Sequence, residues 1–184
     1  MAKNRRELDS EQKRQEIILA ARRLMLAEGY ESTSMSRLAQ EAGVAPNTLY
    51  WYFKDKDELL IAMLNTLVAE ALDEYSTINN QSVDQQLLWI LSKFETVPNL
   101  ITTVHSRMNF SESLKTWHQQ FHMMIESLVV NHLQASGVKP EDCLPAAKIA
   151  MFVVEGLLSH HAGDASEREG VIKFLVSKMT QHSK

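Results

Sequence analysis

Two short helical segments separated by a glycine turn constrain this chain more than any other feature of its sequence. The first segment runs from Thr33 to Gly43, with Ser34 placed as an N-cap and Gly43 placed where a left-handed residue ends the helix. Pro46 then stands where a first-turn proline belongs, and it begins a further short helix that ends near Phe53. A helix, a glycine-containing turn and a second short helix together predict a helix-turn-helix unit.

Longer helices are predicted on both sides of this unit. The segment between Asp9 and Gly29 has apolar residues at the helical period, at Ile17, Ile18, Ala21, Leu24 and Met25. On the other side, Asp55 followed by Glu58 resembles a capping box, and it predicts a long helix over residues 56–75.

The rest of the chain is also helical in pattern. From Ser82 onward there are no alternating runs typical of strands, and breaks at Pro98, at 137–140 and at 163–164 predict four or five further helices. The predicted fold class is therefore all-α. We expect an N-terminal three-helix helix-turn-helix domain at 10–56, a long connecting helix at 57–80 and a C-terminal helical regulatory and dimerisation domain at 81–184.

Composition and charge exclude some classes of protein and indicate the charge of a partner. The longest apolar runs in the 184 residues are Leu59–Leu64 and Ile149–Val154, far shorter than the roughly 20 residues of a membrane-spanning helix. No signal-peptide pattern opens the sequence, and the single Cys143 can form neither an internal disulfide nor a thiolate cluster, so we expect a cytoplasmic protein. The net charge is −4, yet residues 1–56 hold ten Lys and Arg against eight Asp and Glu, which favours an anionic partner at that end.

The second short helix carries side chains that are unusual for a core helix. Within and just after it lie Asn47, Thr48, Tyr50, Trp51, Tyr52, Lys54 and Lys56. Consecutive residues on a helix are turned about 100 degrees apart, so the three adjacent aromatics cannot all face one core. Amides and hydroxyls can contact base edges and lysines can contact phosphates, which predicts a helix that enters the major groove of DNA.

The segments Leu38–Val44 (LAQEAGV) and Thr48–Leu60 (TLYWYFKDKDELL) resemble the TetR (tetracycline-repressor) family of bacterial transcription regulators. The resemblance covers about residues 12–60 and joins helix caps, the turn glycine and the aromatic helix at fixed spacing. The chain departs from the family at Pro46-Asn47, where many members have a small or basic residue followed by Gly. This departure is expected to alter which bases are read.

The resemblance implies a role for each DNA-facing residue. Asn47 and Thr48 would read bases. Ser36 and Arg37 would contact either base edges or the backbone. The residues that would contact or position the DNA backbone are Ser34, Ser36, Arg37, Tyr50, Trp51, Tyr52, Lys54 and Lys56. An alternative for the aromatics is that two of the three wedge the small domain against the fourth helix, and an alternative for the two lysines is a solvated surface. Because one copy neutralises few phosphates, we expect a homodimer on a palindromic operator.

The C-terminal part predicts a dimer interface. The segment from Leu144 to Leu158 is apolar nearly all round, so both of its faces must be covered. One face can meet the chain's own core and the other a second subunit, through Ile149, Phe152, Val153, Gly156, Leu157, His160, Val171, Phe174, Leu175 and Met179. The alternative is a fully internal helix.

A ligand pocket is the second function that the resemblance implies. Its candidate lining is Trp89, Phe94, Val104, His105, Met108, Phe110, Trp117, Phe121 and Met124, although aromatic and methionine stripes are more often packed core. His118 and His122 have the i, i+4 spacing of two metal ligands, but no third ligand is near in sequence, so we expect no metal and no cofactor.

We therefore expect a DNA-binding transcription regulator, a repressor released from its operator by a small apolar or amphipathic inducer. A DNA-binding regulator controlled by a protein partner, without an inducer, fits the sequence as well. A small metal-dependent enzyme using His118, His122 and Glu126 is disfavoured, because no phosphate loop, nucleophile motif or metal signature accompanies these residues. The chain is accordingly not expected to be an enzyme.

Overall fold

The computed structural model describes residues 2–159 and 164–180, and within these residues the chain forms nine helices and no strand. The helices are α1 (Ala2–Glu28), α2 (Met35–Glu41), α3 (Pro46–Tyr52), α4 (Lys56–Tyr75), α5 (Val83–Glu95), α6 (Pro98–Arg107), α7 (Glu112–Ala135), α8 (Pro140–Ser159) and α9 (Ala165–Thr180). The all-α prediction is confirmed. No helix in the described ranges is both long and apolar enough to cross a membrane.

Local chemistry sets the ends of the short helices. The Oγ of Ser34 accepts a hydrogen bond from the backbone N–H of Arg37 at 3.1 Å, which caps α2. Gly43 has φ +64°, a left-handed value that lets the chain turn between α2 and α3. Pro46 opens α3, where a missing N–H costs nothing.

Asp55 caps α4 through a reciprocal arrangement with Glu58. The backbone N–H of Glu58 donates to Oδ1 of Asp55 at 2.8 Å. The Glu58 carboxylate accepts from the backbone N–H of Lys54 at 2.7 Å, one residue earlier than in a standard capping box. The start of the long helix is thus fixed by residues adjacent in sequence.

Helix α1 begins well before the predicted start near Asp9. It runs from Ala2, so Asp9 and Ser10 lie inside the helix rather than at its cap. No Gly or Pro interrupts this stretch, and a side-chain bond between Gln15 and Glu11 at 2.8 Å supports the following turn. Good helix formers therefore continue the helix through residues that favour caps elsewhere.

The chain divides into two compact units. The first unit comprises the residues up to Leu72 together with Asn99–Trp117. Its core is built from α1 to α4 and includes the fully buried Ile17, Ile18, Met25, Leu38, Leu49, Phe53, Leu59 and Met63. The short helices are thereby held by apolar side chains rather than by their own length.

The second unit comprises Asp73–Pro98 and the residues from His118 onward. Helices α5, α7, α8 and α9 supply one continuous core whose members include Leu87, Ile90, Ile125, Val129, Leu133, Ala147, Met151, Val154 and Ile172. This division differs from the predicted boundary at residue 81, because residues 99–117 pack with the first unit. There the Nε1–H of Trp117 donates to Oδ1 of Asn65 at 2.7 Å.

The buried face of α7 is turned from the predicted one. The helical spacing of Leu114, Trp117, Phe121, Met124 and Leu128 predicts that these five residues form its core-facing stripe. Leu114 is buried in the first unit, but in the second unit the buried residues of α7 are Ile125, Val129 and Leu133, whereas Phe121, Met124 and Leu128 are only partly buried against the core. The predicted stripe therefore lies along one edge of the core.

Candidate nucleic-acid interface

Helix α3 has one face buried in the first unit and another exposed. Leu49 and Phe53 are buried, as expected of residues that pack inward. Asn47 and Thr48, one helical turn or less from Leu49, are exposed at the start of the helix. An exposed amide and hydroxyl on a helix whose opposite face is fixed have the geometry required for reading base edges in a groove.

The aromatic residues of α3 differ in exposure. Trp51 is 72% exposed and Tyr50 is 52% exposed, so neither fills the core of the unit. Tyr52 is partly buried, its hydroxyl accepts from Oγ of Ser10 at 3.5 Å, and its ring meets that of Trp51 edge-on at 4.6 Å. The Tyr52 hydroxyl thus contacts α1, Tyr50 and Trp51 extend the exposed face, and the wedge against the fourth helix stays a prediction.

The start of α2 lies beside this face in sequence and offers polar groups. Ser34 and Ser36 are exposed, although the Ser34 hydroxyl is already engaged as the cap. Arg37 pairs with Glu28 at 3.3 Å and with Glu41 at 3.4 Å, on a side chain that is 40% exposed. Pairs this exposed are weak, so Arg37 can exchange its carboxylates for phosphates at little cost.

The two predicted lysine contacts have different surroundings. Lys54 has a side chain that is 70% exposed and a carboxylate, Asp55, only at 3.9 Å. The ammonium of Lys56 instead donates to the backbone carbonyl oxygens of Tyr30 at 2.8 Å and Thr33 at 2.9 Å, and it lies 3.9 Å from the centroid of the Tyr30 ring. Burial lowers the pKa of Lys56. These two hydrogen bonds join the α1–α2 loop to the start of α4, and the phosphate contact of Lys56 stays a prediction.

A partly buried ion pair joins the end of α6 to the start of α4. The guanidinium of Arg107, at the end of α6, donates to both carboxylate oxygens of Asp57 at 2.8 and 3.3 Å. The hydroxyl of Tyr30 donates to the same carboxylate. Burial alone would raise the pKa of Asp57, but the bonds from Arg107 and Tyr30 prevail and lower it. This group could not be predicted from the sequence, because its members are distant in sequence and carry no motif.

The predicted pocket residues fall in both units. In the second unit, Trp89, Phe94, Phe121 and Met124 are partly buried against the core, and the rings of Phe94 and Phe121 meet edge-on at 6.0 Å. In the first unit, Val104 is buried, Phe110 is 79% exposed, and the others with partial exposure are His105, Met108 and Trp117. The pocket remains a prediction.

The predicted dimer residues form two groups. Ile149, Phe152 and Phe174 are exposed by 51%, 69% and 66%, and Val171 is also exposed. Within the second unit, the remaining described residues are partly or fully covered: Val153, Gly156, Leu157, Leu175 and Met179. His160 lies outside the described residues.

The fold and the exposed face of α3 define a helix-turn-helix protein. Residues 17–63 match the family model for "Bacterial regulatory proteins, tetR family". Over this segment the chain is similar to TetR-family regulators, which confirms the resemblance in Leu38–Val44 and Thr48–Leu60.

Individual proteins agree with this placement. An uncharacterized HTH-type transcriptional regulator of Haemophilus influenzae is 54% identical over 46 residues, which are 25% of each chain. The fatty acid metabolism regulator protein of Bacillus subtilis is 30% identical over 80 residues, 42% of this chain and 41% of that protein. The chain thus matches less than half the length of these curated relatives.

Similarity in three dimensions extends further along the chain. A transcriptional regulator from Rhodococcus sp. Rha1 superposes with a TM-score of 0.74 at 20% identity, over 91% of this chain and 96% of that one. A putative TetR-family transcriptional regulator from Mesorhizobium loti gives a TM-score of 0.73 at 18% identity, over 92% and 96%. At such identity the likeness establishes a shared fold.

Proposed function

We propose that this chain is a cytoplasmic, sequence-specific DNA-binding transcription regulator that acts as a homodimer on a palindromic operator and represses transcription there. The observation that carries the proposal is the exposed face of α3, where Asn47, Thr48, Tyr50 and Trp51 lie on a helix anchored by the buried Leu49. The exposed rings of Tyr50 and Trp51 leave apolar surface in water, and neighbouring exposed apolar side chains often mark a binding surface. The major groove is the surface that this helix fits.

Within this proposal the residues have separate roles. Asn47 can donate to and accept from adenine in a bidentate contact, and Thr48 can contact a thymine methyl group. Ser36, Arg37, Tyr50 and Lys54 lie around them and would bind phosphates, which fixes position without specifying sequence. Lys56 is left out, since its ammonium is held by two carbonyl oxygens of the protein.

The dimer would form through the exposed apolar residues of α8 and α9. On α8, Ile149, Phe152 and Gly156 follow each other at spacings of three and four, which places them along one face. On α9, Val171 and Phe174 likewise share one face. A second copy covers all of them by a two-fold axis, as isologous interfaces do.

Selection from random DNA duplexes tests the sequence-reading role. Wild-type protein should enrich a palindrome with two half-sites one helical turn apart, roughly 34 to 36 Å. Asn47→Ala with Thr48→Ala should lose that enrichment but keep weak, salt-sensitive binding. Sequence-blind binding by the wild type, or the same palindrome enriched by the double variant, would contradict the proposal.

Lysine variants test the backbone contacts separately. Lys54→Ala should weaken binding to all sequences and reduce the slope of log K against log salt by about one, because one phosphate contact is lost. Lys115→Ala is the matched control: its side chain is 49% exposed and belongs to the same unit, but it lies on α7, away from α2 and α3 in sequence. Equal slopes for the two variants would remove Lys54 from the interface.

Sedimentation tests the dimer. Phe152→Glu should yield monomers, because a charge would be buried at the centre of the apolar face. Met123→Glu is the control, since Met123 is 59% exposed but lies on α7 in the same unit. A dimer that survives Phe152→Glu, or one lost equally in the control, would place the interface elsewhere.

We further propose that a small apolar or amphipathic inducer binds in the second unit and lowers affinity for the operator. The partly buried Trp89, Phe94, Phe121 and Met124 support this, because aromatics and a methionine beside a core can repack around a ligand. Once the operator is known, a library of apolar compounds can be screened for release of labelled DNA. If no compound releases it while a cell extract does so only through a protein fraction, control by a protein partner replaces the inducer.

A further inference from the structure

A cluster of three metal-ligating side chains lies within the second unit, on helices α7 and α8. His118 and His122 are one helical turn apart on α7, and their Nε2 atoms are 3.1 Å from each other. The Nε2 of His122 is also 2.9 Å from Oε1 of Glu155 on α8. Ligand atoms of His118 and Glu155 lie within 4.8 Å of each other. Neither the function proposed above nor the family placement assigns a role to this cluster.

The two separations at His122 are close to those of ligands around a small cation. At metal–nitrogen distances of about 2.0 to 2.1 Å, two ligands of a tetrahedral ion stand roughly 3.3 Å apart. The two distances at His122 fall just below this value, so little movement is needed to admit an ion. Spacing in the sequence had given two ligands, and the fold brings the third from a residue 33 positions after His122.

Hydrogen bonding alone does not account for both contacts of the His122 Nε2 atom. The Nε2 of His122 carries either one hydrogen or one lone pair, yet both His118 Nε2 and Glu155 Oε1 are within hydrogen-bonding distance of it. A cation between the three groups would accept a lone pair from each. The carboxylate would also offset part of the ion's charge.

The surroundings provide both rigidity and access. Ile125 and Val129 of α7 and Met151 and Val154 of α8 belong to one buried core, which fixes the two helices that carry the ligands. The side chains of His122 and Glu155 remain 19% and 27% exposed. Solvent can therefore reach the cluster and supply a further ligand.

We infer that His118, His122 and Glu155 form a binding site for one divalent transition-metal ion of the Zn²⁺ class, with water completing the coordination. Such ions bind two imidazoles and a carboxylate more readily than Mg²⁺ or Ca²⁺ does. The three residues belong to the second unit and α3 to the first, and the inference does not rest on the proposed function.

Cobalt titration of the full-length, tag-free protein tests the site, because a polyhistidine tag would bind the same ions. Co²⁺ should give the visible absorption bands of a low-coordinate ion, saturate at one ion per chain, and be displaced by Zn²⁺. His118→Ala and Glu155→Gln should each weaken binding by at least about 100-fold, the upper range for losing an outer-shell partner. Circular dichroism of each variant shows whether the fold is retained.

Two further variants make the test specific. His132→Gln removes another histidine of α7, one whose ring contacts Gln86, and it should leave binding unchanged. His122→Cys should keep the ion and add a thiolate-to-cobalt charge-transfer band. This band appears only if the side chain at position 122 binds the ion directly. Absence of saturable binding in the wild type, or equal losses in His132→Gln and His118→Ala, would overturn the inference and leave a hydrogen-bonded pair.

Discussion

Replacing Arg107 by Met should destabilise the first unit strongly, although Arg107 lies 50 residues from its partner Asp57 in sequence. Methionine keeps much of the apolar stem and removes both charged hydrogen bonds. The Asp57 carboxylate would remain, with a side chain only 12% exposed and with Tyr30 as its strongest remaining partner. The variant therefore leaves a largely buried charge without its counter-ion.

The magnitude follows from the exposure of the two groups. Breaking a fully buried ion pair by removing one partner costs about 3–5 kcal/mol. The Arg107 side chain is 28% exposed, so water screens part of the interaction, and Tyr30 still donates to the carboxylate. We expect the free energy of unfolding of the first unit to fall by about 2–3 kcal/mol.

Hydrogen exchange in increasing urea measures this loss locally. The amides of residues 17–25, which include the buried Ile17, Ile18 and Met25, report opening of the first unit. Arg22→Met is the matched control, because Arg22 pairs with Glu70 at 2.5 Å in the same unit on side chains 31% and 52% exposed. Its loss should cost less than about 1 kcal/mol. Equal effects of the two variants would refute the assignment of Arg107 to a buried pair.

The pH dependence supplies a second check. Folding lowers the pKa of Asp57 from its ordinary value of 3.8, so the native state binds fewer protons than the unfolded state. The stabilisation is therefore present above about pH 4 and is lost as pH falls through the lowered pKa. The difference between wild type and Arg107→Met should shrink over that acid range. A difference that stays constant there would show that lost packing, not charge, causes the effect.

Three further predictions concern single positions. Gly43→Ala should destabilise the protein by about 1 kcal/mol, because φ is +64° there, although an added Cβ would meet nothing within 4 Å. Gly170→Ala inside α9 should instead stabilise the protein by about 0.5–1 kcal/mol. Changes of the same sign for both variants in urea denaturation would contradict the backbone argument. Lys56→Met should cost about 1–3 kcal/mol by leaving two carbonyls unsatisfied, with an unchanged salt slope of DNA binding; a slope reduced by about one would restore Lys56 as a phosphate contact. Ser34→Ala should cost about 1 kcal/mol through loss of the α2 cap, and rescue of stability by Ser34→Asp should follow, while an Asp variant no better than Ala would exclude capping as the cause.

Features set by neighbouring residues could be predicted from the sequence. Ser34, Gly43, Pro46 and Asp55 act within three or four positions of themselves, so the bounds of α2, α3 and the start of α4 are written locally. The predicted start of α1 is wrong because local cap-forming residues also occur inside a helix. The cap-forming residues near Asp9 predict a helix start, but no Gly or Pro before them stops a helix.

Features that depend on distant backbone or on helix register could not be predicted. The contacts of Lys56 could not be predicted, because its partners are backbone carbonyl oxygens of the α1–α2 loop. Every residue has such a carbonyl, so the sequence does not show which ones accept a hydrogen bond. Glu155 gave no sign of joining His122, since the side-chain pattern of α8 fixes which face is buried but not which turn lies opposite α7. A charged residue in such a helix is assigned to solvent by default, and only tertiary packing shows whether it faces another ligand. Binding of Co²⁺ therefore also tests the register of α7 against α8, because a one-turn shift of about 5.4 Å between them would separate His122 from Glu155.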